Sequence, residues 1–199
     1  AGLFLSLLPD RPGNLKVQTV DIPGVHRWTD ISGHTTFRDR NLVLTDLKIG
    51  SEISLRTFNL DASKLDDAEL GLALDGTLFD APTTVTAKIS DLNGANRLNV
   101  KAGSSGLSFD KVWKYLNLSI PFHATLDRLA LTFEGEPGKP SGWTGQGEVQ
   151  LSGTAYDRQP LGDLTLSFNL ADKRAKLKAA DRLDQDNQIE LSADLELPE

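Results

Sequence analysis

The side chains that could bind a metal or move a proton are few here, and their spacing assembles no site. His26 and His34 lie eight residues apart, and His123 is remote from both. Zinc-binding pairs are separated by roughly two to five residues, so structural histidines are expected. Asp181, Asp184, Asp186 and Asn187 resemble the start of a calcium loop. Counted from Asp184 or Asp186, the glycine and the bidentate glutamate of such a loop are missing, which leaves a solvated hairpin turn. Gly145-Gln146-Gly147 opens like a dinucleotide-binding loop, but Gln150 stands where the third glycine is required, so a glycine-rich strand entry fits better. Neither a G-x-S-x-G elbow nor a phosphate-binding loop occurs. Asn117-Leu118-Ser119 fits a glycosylation acceptor at the end of an expected helix. Trp28, Trp113 and Trp143 could stack on a sugar, although Trp113 belongs to that helix's apolar face. Catalysis needs a nucleophile, acid or base in a defined constellation. Spacing supplies none, so a non-enzymatic protein without cofactor or metal is expected.

The bulk numbers exclude further classes. The 28 acidic against 21 basic residues give a net charge of −7, and the charges are scattered. Nucleic-acid affinity rests on clustered Lys and Arg, so no nucleic-acid partner is expected. The absence of cysteine excludes a disulfide framework and a thiolate metal or redox site, and it suits an oxidising compartment. The sequence does not begin with Met, as in a processed chain or a piece of a longer one. Its apolar start, Ala1 to Leu8, is about half the length that spans a bilayer and lacks a basic leader region, so a first strand or helix remnant is expected there.

What must position any site is a rhythm of apolar residues at every second place. Leu42 and Leu44 open it, and Leu70, Leu72 and Leu74 continue it. Leu131 and Phe133 follow, then Leu164, Leu166 and Phe168, then Leu177, and finally Ile189, Leu191 and Leu195. Period two sends alternate side chains to opposite faces of a strand, so each run has one apolar and one polar face. Strands are expected at about 15–22, 28–37, 42–49, 52–60, 68–79, 83–91, 96–102, 122–133, 146–156, 162–171, 174–180 and 187–197. Asp75-Gly76 and Asn93-Gly94 carry tight-turn chemistry, the first of them inside the 68–79 run. The period changes once. Phe109, Val112, Trp113 and Leu116 fall at helical spacing, with Ser108 as a candidate cap and Asp110 in the first turn. A helix near 109–117 is too short to stand alone and must dock on an apolar surface, as a plug at the end of the sheet's core. Ile31-Ser32-Gly33 and Leu151-Ser152-Gly153 precede similar Leu-rich strands by 39 and 40 residues, which suits two repeats, 14–106 and 107–199.

The stretch Leu161 to Leu170, with Asp186-Asn187-Gln188-Ile189-Glu190-Leu191-Ser192, resembles the AsmA-like and TamB-like proteins of the Gram-negative envelope. Gly153, Pro160, Leu161, Gly162, Asp163, Asn187, Ile189 and Leu191 match that family's pattern. Gln188 stands where a basic residue is common, and Ala193 where glycine is common. Ile31 to Leu60, with its Arg40 to Leu47 turn and strand, resembles another segment of the same family, so the likeness spans about two thirds of the chain. The resemblance implies a long curved antiparallel sheet folded into an open apolar groove, a β-taco, that conducts phospholipid acyl chains between the inner and outer membranes. It further implies a periplasmic segment of an inner-membrane-anchored bridge-like lipid-transfer protein, with neighbouring repeats of the full-length chain and an outer-membrane protein as partners.

Elementary energetics bear on the same question. Burying one Leu or Phe side chain stabilises by roughly 1.5–3 kcal/mol. A dozen left on an open face would forfeit more than the roughly 5–15 kcal/mol that holds a domain folded. The apolar face therefore needs a cover. Either lipid and neighbouring segments supply it, or the chain is a structural or carbohydrate-binding β-sandwich with a self-filled core.

Overall fold

A computed structural model of the chain describes residues 12–22, 26–182 and 187–198. The apolar start and most of the Asp184–Asn187 turn, with the calcium-loop resemblance, lie outside the described residues. Among these residues the architecture is one thirteen-stranded antiparallel sheet with a single short α-helix. Its strands are β1 (Pro12–Ile22), β2 (His26–Arg38), β3 (Asn41–Ile49), β4 (Ile53–Asp61), β5 (Leu70–Leu78), β6 (Ala81–Ser90) and β7 (Arg97–Ser104). There follow β8 (Leu107–Ser108), the helix α1 (Phe109–Tyr115), β9 (Phe122–Gly135), β10 (Thr144–Tyr156), β11 (Gln159–Ala171), β12 (Arg174–Arg182) and β13 (Gln188–Glu196). Each strand pairs with its neighbours in sequence; β7 pairs directly with β9, and the two-residue β8 pairs with β9 off this path. The sheet thus runs unbroken across the junction between the two expected repeats.

Turn chemistry sets the meander. Four connections are two-residue turns with both residues at positive φ: Asp39-Arg40, Phe79-Asp80, Asp157-Arg158 and Asp172-Lys173. Such turns carry the twist of the flanking strands and hold them in tight hairpins. The Asp75-Gly76 pair is no turn; it lies in the middle of β5. Gly76 sits opposite a bulge in β4 between Leu55 and Thr57. A Cβ there would collide with the Ser54 carbonyl and come within 2.5 Å of the Leu55 Cα. The glycine marks close backbone approach, and the chain reverses three residues later.

The register makes one face continuous. Phe37 faces Leu42, which faces Leu60, then Leu72, Ala87, Val100, Phe133, Gly145, Leu170, Ala175 and Leu195 in turn across the sheet. The next row runs Leu44, Phe58, Leu74, Val85, Ala102, Leu131, Gly147, Phe168, Leu177 and Ala193. Cross-strand partners share a face, so both rows are apolar from β3 to β13. The intervening row is largely polar: Asn59, Ala73, Thr86, Lys101, Thr132, Gln146, Asn169, Lys176 and Asp194.

No second sheet covers the apolar face among the described residues. None of their large side chains is fully buried. The chain exposes 13207 Å², where a globular protein of its mass exposes roughly 9200 Å². Burial is uneven. Leu47, Leu55, Leu126 and Leu151 lie below 8 % exposure, and each flanks a β-bulge, where the strand bends and twists more strongly. The two sequence echoes also fall on bulges, between Ser32 and His34 and between Leu151 and Thr154. Toward β13 the face opens, and Leu191 reaches 67 % exposure.

Replacing Gly76 by alanine should destabilise the fold by about 1–3 kcal/mol through overpacking against β4. Gly138→Ala, where a Cβ meets nothing within 4 Å, serves as the control. Urea unfolding of the two variants measures the difference.

Candidate functional site

The side chains expected on the apolar face do share it. Leu42, Leu44, Leu70, Leu72, Leu74, Leu131, Phe133, Leu164, Leu166, Phe168, Leu177, Ile189, Leu191 and Leu195 all point to the side traced above. Phe58, Leu60, Val85, Leu98 and Val100 belong with them. Their strands also alternate, and that alternation was the signal that could have found them. Between β10 and β13 the face holds a depression of about 460 Å³, walled mainly by Val149, Leu166, Phe168, Leu177, Leu191 and Ala193. Gly147 makes room for it: a Cβ there would overlap the Phe168 ring, 2.7 Å from Cζ. That accounts for the Gly145-Gln146-Gly147 stretch, which seats an aromatic side chain.

One carboxylate interrupts the apolar surface. Asp181 on β12 pairs with Leu164 and Ile189, and its Oδ1 is buried without a hydrogen-bond partner. Sequence alternation alone placed no charge on this face.

Helix α1 lies at the end of the sheet where the bulges gather. Phe109 packs on a buried cluster of Ala124, Leu126 and Leu151. Its ring stacks on Trp113 at 5.6 Å and meets Phe122 at 6.0 Å. The Trp113 indole N–H donates to the Phe122 carbonyl at 2.9 Å. Phe109, Val112 and Trp113 are half-buried, so the helix docks as a plug on these three. Leu116 does not join them. It follows the helix as its C-terminal cap and is 38 % exposed. Ser108 precedes the helix without a side-chain capping bond; Asp110 in the first turn instead holds His123 Nδ1 at 2.5 Å.

The far end of α1 reaches the hairpins on either side of β4 and β5. Tyr115 meets Phe79 edge to face at 5.2 Å. Burial, reinforced by the nearby Glu52 carboxylate, pushes the Tyr115 hydroxyl above its ordinary value, and the Trp28 indole N–H donates to its oxygen. Lys111 pairs with Asp80 at 2.7 Å. These groups surround a cavity of about 600 Å³ lined by Ser51, Glu52, Phe79, Asp80, Lys111, Lys114 and Tyr115.

The other sequence candidates separate in space. Trp143 sits at the opposite sheet end from Trp113, edge-on to Phe133 at 5.5 Å, with its N–H on the Glu136 carbonyl. The tryptophans therefore form no common platform. His34 contacts Asn14 Oδ1 at 2.8 Å, a structural bond between β1 and β2. Among the described residues, no group of three or more His, Cys, Asp or Glu is arranged to hold a metal, and no helix is long and apolar enough to cross a membrane.

The polar face carries cross-strand ion pairs. Arg174 on β12 meets Asp194 on β13 at 2.9 Å, and Lys88 meets Glu69 at 2.9 Å. Hydrogen bonding to these cations holds the Asp194 and Glu69 carboxyls below their ordinary values.

Fold and site together define an open, one-sided antiparallel meander whose apolar face carries a helix at one end. No protein-family model matches the chain, and comparison with curated proteins and with solved structures likewise gives no match. The envelope-family resemblance stands on its sequence motifs alone.

Two outcomes follow from these contacts. Trp113→Ala should cost about 2–4 kcal/mol in a chemical melt, since a half-buried ring and a hydrogen bond are lost together. Asp194 has a depressed folded-state pKa, so its contribution is present above the unfolded value and fades as pH falls through the depressed one. Amide exchange on β13 should accelerate below the ordinary aspartate value of 3.8, and Asp194→Asn should remove that pH dependence.

Proposed function

We propose that this chain is a non-enzymatic lipid-binding module whose apolar face forms part of a groove that accepts phospholipid acyl chains. The observation that carries the reading is the continuous apolar surface across the sheet, over which the described residues place no second layer. A β-sandwich would fill that face with its own side chains; here Leu166, Leu177, Ile189, Leu191 and Leu195 remain between 39 % and 67 % exposed. Soluble monomers rarely present a large contiguous apolar patch unless it binds something. Acyl chains are a fitting occupant because they demand no hydrogen bonds, and the depression between β10 and β13 offers few polar groups.

The sequence resemblance gives this binding a setting: transport of phospholipid across a Gram-negative periplasm, within a longer inner-membrane-anchored protein and toward an outer-membrane partner. In that setting the groove would continue past the edges at β1 and β13, where neighbouring segments of the full-length protein could add strands.

The test substitutes the open part of the face. Leu191 and Leu166 are accessible enough for a charge to keep water contact, so Leu191→Arg and Leu166→Asp should melt within about 4 °C of the parent, equivalent to roughly 1 kcal/mol. Native mass spectrometry of the purified chain should find bound phospholipid in the parent and little in either variant. Folded variants that retain their lipid would overturn the reading, as would a parent that carries none and extracts none from vesicles.

A further inference from the structure

The cavity at the far end of α1 differs from the rest of the molecule in joining charged groups to the edge of the apolar face. Glu52 immediately precedes Ile53, and Phe79 immediately follows Leu78. Ile53 faces Leu78 on one side and Ile49 on the other, and all three are half-buried on the apolar side. A molecule lying along these residues would end among Lys111, Lys114, Glu52, Asp80 and Tyr115.

We infer that this cavity is a headgroup site for a zwitterionic phospholipid, with the phosphodiester held by Lys114 and Lys111 and the ammonium by Glu52 and Asp80. The inference rests on the acyl-groove reading above.

Charge balance selects the ligand. The lining carries two lysines and two carboxylates. Their sum is neutral, which suits a headgroup bearing one negative and one positive charge better than an anion alone. The groups are also available. Among the described residues, Lys114 has no ion pair. The Lys111–Asp80 pair is at the surface, with Asp80 85 % exposed, so it costs little to exchange for a ligand phosphate. Glu52 is held ready, because the Ser51 hydroxyl and backbone N–H both donate to its carboxylate at 2.5 and 3.1 Å. At about 600 Å³ the cavity falls within the range of small-molecule sites.

The experiment compares four probes on the whole chain: a short-chain phosphatidylethanolamine, the phosphatidylglycerol and the diacylglycerol with the same acyl chains, and free phosphoethanolamine. The phosphatidylethanolamine should bind about tenfold tighter than the diacylglycerol, the worth of a charge-assisted hydrogen bond. Free phosphoethanolamine should bind far more weakly than either lipid. Lys114→Gln should bring the phosphatidylethanolamine down to the diacylglycerol level and leave the diacylglycerol unchanged. Glu52→Gln should weaken the phosphatidylethanolamine but not the phosphatidylglycerol. Equal affinity for phosphatidylethanolamine and diacylglycerol would overturn the headgroup site while leaving the groove standing. Binding of neither would remove the groove and the inference with it. Free phosphoethanolamine binding as tightly as the lipid would make this a site for a soluble phosphorylated amine, and an unchanged Lys114→Gln would also reject the assignment.

Discussion

Everything in the described residues answers to one constraint: an apolar sheet face has to be removed from water, and those residues build no second layer to do it. In a sandwich the opposing sheet supplies those contacts. Here the face is covered piecemeal. Bulges bend the strands around Leu47, Leu55, Leu126 and Leu151, and α1 lays Phe109 and Trp113 over the same end. Toward β13 neither device operates, and the leucines stand open. The gradient of burial along the sheet is therefore a gradient of how much covering the chain supplies for itself.

That gradient gives the two ends of the apolar face different chemistry. At the α1 end, aromatic packing meets a charged cavity, and polar and apolar contacts are available within one ligand's length. At the β13 end hydrocarbon dominates, interrupted by the Asp181 carboxylate. The polar face is a separate system. Its cross-strand pairs, such as Arg174 with Asp194 and Lys88 with Glu69, are solvent-exposed and contribute modestly, but they fix register along strands whose other face has no jigsaw packing to do so.

Much of this was legible in the sequence, for a physical reason. Alternation is a local property, and the apolar side of β3, β5, β9, β11, β12 and β13 followed from it. The failures were places where long-range geometry decides. Asp75-Gly76 has the chemistry of a turn, yet Gly76 is required by the bulge across from it, and the reversal falls on Phe79-Asp80, where phenylalanine gives no hint of positive φ. Leu116 fits the helical spacing, but the helix ends at Tyr115 and leaves it outside the packed set. Asp181 lies on the apolar face because of pairing with Leu164 and Ile189, which composition alone could not show. The charged cavity draws on two hairpins and α1, positions too scattered for any motif to announce.

The chain of nearest-neighbour hairpins also bears on how the molecule is made. Almost every strand pairs with the one just before it, so each new ladder closes a loop of only a few residues and little chain entropy is lost at a step. The β7–β9 pairing is the exception, since it must wait for β8 and α1 to be laid down between them. Assembly can thus proceed as a zipper from the N-terminal side while the C-terminal strands are still emerging, with one slower step in the middle. A polypeptide delivered end-first through a narrow conduit would be able to fold as it arrives, without holding distant segments in reserve.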